Sequence, residues 1–227
     1  MLKANRKTLI ITSIVTILPV LIGIICWDRL PDVMATHFGM NNEANGFSSK
    51  VFAVFGLPLV LLAVLWVGAF VTAHDPKRQN ISPKMFSLML WIAPAISLVA
   101  AATVYPVNLG YELDIAFFGE LLLGLMFIII GNYLPKARQN YTIGIKIPWT
   151  LANEENWNRT HHLAGYLWMI CGILMIIISL TRFVPAEWLV GIFLIMVLVP
   201  CIYSFWLHAK KGLLVACPKL NKKVIAV

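Results

Sequence analysis

The side chains in this sequence best equipped for chemistry are His161 and His162, which close a polar stretch, IGIKIPWTLANEENWNRTHH at 143–162, and Glu120, alone in an apolar run. Imidazoles bind transition metals and titrate near neutrality. Adjacent helical residues point about 100° apart, however, so this pair does not chelate together as an i, i+4 pair would. His74 and His208 also stand at the ends of apolar runs. Metal ligation, proton sensing and a hydrogen-bonded or interfacial role are the three uses open to these histidines. For Glu120 the alternatives are a hydrogen-bonded structural carboxylate and a functional one that lines a cavity or titrates, because lipid penalises charge that has no task. The chain has no GxSxG, no HExxH and no carboxylate pair at catalytic spacing, so no enzyme activity, metal or cofactor is expected. Its four cysteines form no CxxC pair and suggest no disulfide framework.

The elements that must position these groups follow from composition. The 227 residues are 60% hydrophobic and only 12% charged, with a mean hydropathy of +0.83, whereas soluble domains carry about 25% charged residues. Apolar runs of about 20 residues cross a hydrocarbon core of about 30 Å as helices. Six such runs are present, at about 8–27, 51–73, 85–107, 114–134, 162–181 and 188–208. The expected fold is all-α, a polytopic membrane bundle of six transmembrane helices with a short extracellular loop or hairpin at 28–50. Pro58, Pro94 and Pro200 fall inside spans, where lipid helices tolerate them. The first run is long for a signal core and no small-x-small site follows it, so it reads as an uncleaved helix.

Lys and Arg near span ends set orientation. Fifteen of the eighteen fall on one side, and only Arg29, Lys50 and Arg182 on the other, which holds six of the ten acids. Both termini and the 135–161 loop are therefore expected in the cytoplasm, beside anionic lipid heads, and the outer face is net negative. The basic residues hug the spans and form no separate domain, so direct nucleic-acid binding is not expected.

Two loops carry most of the polar residues. In 28–50, Leu30-Pro31-Asp32 makes a turn, Ala35 to Phe38 a short strand, Asn45-Gly46 a tight hairpin turn, and Ser48 or Ser49 a cap for the second span. His37, Phe38 and Phe47 are more than a solvated connector needs. In 135–161, Trp149 and Trp157 suit either the headgroup level or a contact surface. Asn153 followed by Glu154 and Glu155 reads as a helix start well ahead of the membrane. That start predicts a Glu155–Arg159 pair and a shared face for Trp157 and His161. Gly124 and Gly131 allow another helix to approach the fourth span closely.

The run GNYLPKARQNYTIGIKIPWTLANEENWNRTHHLAG, residues 131–165, resembles the signature of the sporulation-delay toxin immunity family: G-N-x-x-x-K-x-x-x-N, G-[IL]-[RK]-x-P-W-T-L and W-x-x-[TG]-[HN]. Gly131, Asn132, Lys136, Asn140, Gly144, Lys146, Pro148, Trp149, Thr150, Leu151, Trp157, Thr160 and His161 fit it. Lys146 and His162 stand where many members have Arg. LPDVMATHFGMNNEANGFSSK resembles the small membrane module of unknown function that many members carry first. The chain then divides into that module (1–75), a connecting helix (76–113), the signature region (114–185) and a last helix with a basic tail (186–227). The resemblance implies immunity to a secreted toxic peptide. It also implies, in some members, a receptor that holds an ArsR-type winged-helix repressor at the membrane. The toxin side would comprise Asp32, His37, Phe38, Asn45, Phe47 and Glu120. The repressor side would comprise Asn132, Lys136, Asn140, Gly144, Lys146, Pro148, Trp149, Thr150, Trp157, Arg159 and His161. The alternative is a proton-coupled exporter of a peptide or small solute with Glu120 as its carboxylate.

Overall fold

The structure, a computed structural model, describes residues 1–39, 42–182 and 188–216, with side chains as far as Lys210. Among these residues six helices are long and apolar enough to cross a membrane. They are α1 (Arg6–Ile25), α2 (Leu57–Ala73), α3 (Pro83–Asn108), α4 (Ile115–Tyr133), α6 (Glu154–Thr181) and α7 (Trp188–Ala216). A short helix, α5 (Pro148–Ala152), precedes α6, and two strands, β1 (Val33–Phe38) and β2 (Ala44–Ser49), lie between α1 and α2. Helices suit such apolar sequence because every backbone bond closes within the segment. The chain divides into two compact units, Met1–Leu122 and Leu123–Val227. Cys217, Glu187 and the tail lysines lie outside the described residues.

In the first unit a polar seam runs between α1 and α3. Side chains of α3 donate to α1 carbonyls at and before its proline: Ser97 Oγ to Thr16 O at 2.7 Å, and Tyr105 Oη to Pro19 O at 3.1 Å. Pro58 follows closely on a π-helical turn over Phe52–Gly56, a change of helical winding at the point where the proline supplies no N–H. It lies inside the second span, Phe52–Ala73, as the apolar run suggested, where the π-helical turn passes without a break into α2. Ser82 caps α3 through Met85 N–H.

The hairpin is antiparallel, and its turn is not at Asn45-Gly46. The loop closes earlier, with Gly39 N–H donating to Glu43 O at 2.9 Å and Asn42 in the left-handed region at φ 63°. Val33 faces Ser49 and Ala35 faces Phe47, which leaves Asn45 and Gly46 inside β2. The glycine serves a close approach there: a Cβ on Gly46 would lie 2.8 Å from His37 Cβ, at the point where the register slips. Ser49, rather than Ser48, caps the following helix through Phe52 N–H at 3.3 Å.

In the second unit α4 and α6 meet through two pairs of glycines. A Cβ on Gly131 would lie 2.8 Å from Gly165 O, and one on Gly172 would lie 2.5 Å from Gly124 O. Phe127, Cys171, Met175 and Met196 form the apolar core shared by α4, α6 and α7. A buried polar clamp joins α6 to α7. Asn156 Nδ2 donates to Ser204 O at 2.8 Å, while its Oδ1 accepts from Ser204 Oγ at 2.6 Å and from Thr160 Oγ1 at 3.1 Å.

Candidate functional site

The segment between α4 and α6 folds back on the first turns of α6, and the motif residues explain how. Asn153 caps α6 by accepting from Asn156 N–H at 2.9 Å. Two turns then place Trp157 and His161 on one face, their rings stacked with centroids 4.0 Å apart, and Arg159 pairs with Glu155 at 2.8 Å. Trp157 is fully buried and its indole N–H donates to Ala137 O at 2.7 Å, which ties the loop to the helix. An anchor at the headgroup level needs an exposed ring, so that reading does not hold for Trp157. Trp149 is half-buried, packed edge-on to Phe205 at 5.1 Å.

His161 is fully buried with both ring nitrogens engaged. Nδ1 lies 2.8 Å from Trp157 O, an acceptor, so it carries the proton, and Nε2 accepts from Ile145 N–H at 2.9 Å. Gly144 makes that contact possible. It stands at φ +125°, and a Cβ there would lie 2.5 Å from His161 Nε2 and 3.0 Å from the Trp157 ring. Thr150, buried, accepts from Ile147 N–H and donates to Ile145 O, while Pro148 opens α5. Asn140 accepts from the N–H groups of Thr142 and Ile143 and donates to Arg138 O and Ile143 O. Gln139, which sequence reasoning did not single out, donates to both Thr150 O and Leu151 O.

Burial thus sorts the inner set. Asn140, Thr150, Trp157 and His161 are buried and build the loop, Gly144 and Trp149 are half-buried, and Asn132, Lys136, Lys146, Pro148 and Arg159 reach its outside. Lys136 donates to Asn132 Oδ1 at 3.2 Å and covers the Tyr133 ring. Of the other histidines, His162 is exposed, His208 has its ring 6.4 Å from that of Trp149, and His74 lies tilted against Phe70 at 4.1 Å. Among the described residues no group of three or more His, Cys, Asp or Glu is placed to hold a metal ion.

At the hairpin, Leu30 and Met34 are buried against Ala53, Val54, Val104 and Tyr105, which seats β1 on the ends of the helices. Phe47 and Val33 are left exposed, at 62% and 64%. Asp32 pairs with Lys50, whose ammonium lies 5.1 Å over the Trp27 ring. His37 Nδ1 meets Asn45 Oδ1, and Phe38 is half-buried. Two amides that sequence reasoning missed fix this hairpin. Asn108 at the end of α3 accepts from Ala35 N–H and donates to Ala35 O, both at 2.9 Å. Asn42 donates to Asp114 Oδ1 and accepts from Ala116 N–H at the start of α4. Glu120 is buried within α4, unlike the exposed Asp32, His37, Asn45 and Phe47.

Residues 136–204 match the SdpI/YfhL protein family, and residues 14–62 match a domain of unknown function, DUF1648. Immunity protein SdpI of Bacillus subtilis (strain 168) is 27% identical over 202 residues, covering 87% of this chain and 92% of that protein. No solved structure matches. The chain is thus similar to the SdpI/YfhL protein family over 136–204 and to DUF1648 over 14–62, and to Immunity protein SdpI along most of its length.

Proposed function

We propose that this protein is a multi-pass bacterial membrane immunity protein that protects its cell from a secreted toxic peptide. The observation that carries this reading is the likeness to Immunity protein SdpI along nearly the whole of both chains. The termini and the folded-back loop face the cytoplasm and the hairpin faces outward, as the basic asymmetry favours. A cationic or apolar peptide meets the hairpin, where acids outnumber bases and Phe47 and Val33 are exposed. The inner surface of Asn132, Lys136, Lys146 and Pro148 is open to a second partner, a winged-helix repressor held at the membrane when toxin is bound. That coupling requires two arrangements of the helices to which the two partners bind unequally.

The test is complementation of a Bacillus subtilis strain deprived of Immunity protein SdpI and plated with toxin-producing siblings. The wild-type chain is expected to restore growth, and Phe47→Ala to lower survival about tenfold, the loss typical of one apolar contact at an interface centre. Restored growth with hairpin variants as protective as wild type removes the hairpin from toxin binding; no restored growth by any form removes immunity to this toxin.

Glu120, buried in an apolar helix, supports a second reading, proton-coupled transport. That reading expects solute flux into proteoliposomes driven by a proton gradient and abolished in Glu120→Gln. Protection unchanged in Glu120→Gln, with no such flux in wild type, leaves the carboxylate structural.

A further inference from the structure

Between the first turns of α6 and the last turns of α7 lies an open cleft of about 260 Å³, lined by Asn153, Glu155, Arg159, Trp206, His208 and Lys210. It lies where the apolar stretches of both helices stop, at Leu163 on α6 and Leu207 on α7. That is the depth of the lipid headgroups whichever way the chain is inserted. The space is several times the ~30 Å³ share of one water molecule. Its floor does not swing out to fill it, because the Asn156 amide is held by Ser204 and Thr160.

The cleft has cationic donors to spare. Arg159 commits Nη2 to Glu155, and its other N–H groups have no protein partner among the described residues. The Lys210 ammonium lies 5.1 Å over the Trp206 ring and has no carboxylate partner among the described residues. Among the described residues, two cations therefore face a single carboxylate across a polar cleft with an aromatic wall. A guanidinium fork beside an ammonium is a donor set matched to phosphate oxygens, and an exposed Trp ring covers the apolar part of a headgroup.

We propose that this cleft is a phosphate-binding site that takes the headgroup of a phospholipid. Arg159 and Lys210 donate to the phosphate, and Trp206 packs on the glycerol. The site goes beyond the immunity reading and does not depend on it.

The experiment uses the full chain, delipidated in detergent, with retention of added lipid followed by native mass spectrometry. Phosphatidylglycerol is expected to be retained, and a digalactosyl lipid with the same tails is not. Arg159→Gln with Lys210→Gln should lower phosphatidylglycerol retention by about tenfold or more, the loss of charge-assisted hydrogen bonds. Arg78→Gln with Lys84→Gln, an equal change of charge on exposed residues elsewhere, should leave it unchanged. Lys210→Gln alone, at an exposed position, guards against a folding defect and should give a partial loss. Inorganic phosphate that displaces the lipid at millimolar concentration makes the free anion a ligand of the same donors; no displacement assigns the site to the headgroup. Equal retention in the two double variants, or retention of the digalactosyl lipid as firm as that of phosphatidylglycerol, overturns the proposal.

Discussion

Gly144 illustrates what a single residue contributes here. Its backbone stands at φ +125°, and the space where a side chain would begin is occupied by His161 and the Trp157 ring. Gly144→Ala is therefore expected to cost about 1–3 kcal/mol in backbone strain, with contact repulsion in addition. Thermal unfolding in detergent should show the loss, and limited proteolysis should cut within 137–147 before the helices are released. An alanine variant as stable and as resistant as wild type would falsify the account of the folded-back loop. Part of this site was legible beforehand. The Asn153 cap, the Glu155–Arg159 pair and the shared face of Trp157 and His161 all follow from 3.6-residue periodicity. Burial of those rings was not legible, because it depends on a loop returning over α6 from residues 137–147. Tryptophan in a sequence looks the same whether it anchors at an interface or fills a core.

Among elements, the crossing of α4 and α6 depends on glycine pairs that let backbone approach backbone, and in lipid such packing has to replace a hydrophobic drive. Gly131→Leu should separate the helices and destabilise the second unit by at least about 1–3 kcal/mol. Gly119→Leu is the matched control on the same helix, since a Cβ there meets nothing within 4 Å. It should change stability by less than about 0.5 kcal/mol. Melting temperatures of the two variants in the same micelle decide the point, and equal shifts would mean that helix propensity, not packing, is being measured. The closeness of these helices could be anticipated from Gly124 and Gly131 on one helix. The hairpin turn could not, because Asn45-Gly46 has strong local turn chemistry that the pairing of Val33 with Ser49 overrides. Tertiary register decided what the dipeptide does.

For the whole molecule, the first question is sidedness, which rests on charge asymmetry. Ala152→Cys and Asn45→Cys both place a thiol at an exposed position. In intact cells a membrane-impermeant maleimide is expected to label Asn45→Cys and to spare Ala152→Cys until the membrane is opened, each in a background lacking the native cysteines. The reverse pattern inverts the topology and moves the toxin side to the folded-back loop. The six spans were readable because lipid leaves so few backbone options. The contacts of Asn108 with Ala35 and of Asn42 with Asp114 were not, since each joins residues more than seventy positions apart and carries no periodic signature.

The Asn108 amide does for β1 what a neighbouring strand would do, offering one donor and one acceptor to the outward backbone of Ala35. The hairpin is therefore not a cassette that can be lifted from this scaffold and grafted onto another pair of helices. A transplanted copy would expose two unmatched main-chain groups, and its sticky border would invite the same ribbon from a neighbouring molecule. Chimeras that exchange this ribbon between relatives should carry the tip of α3 along with it.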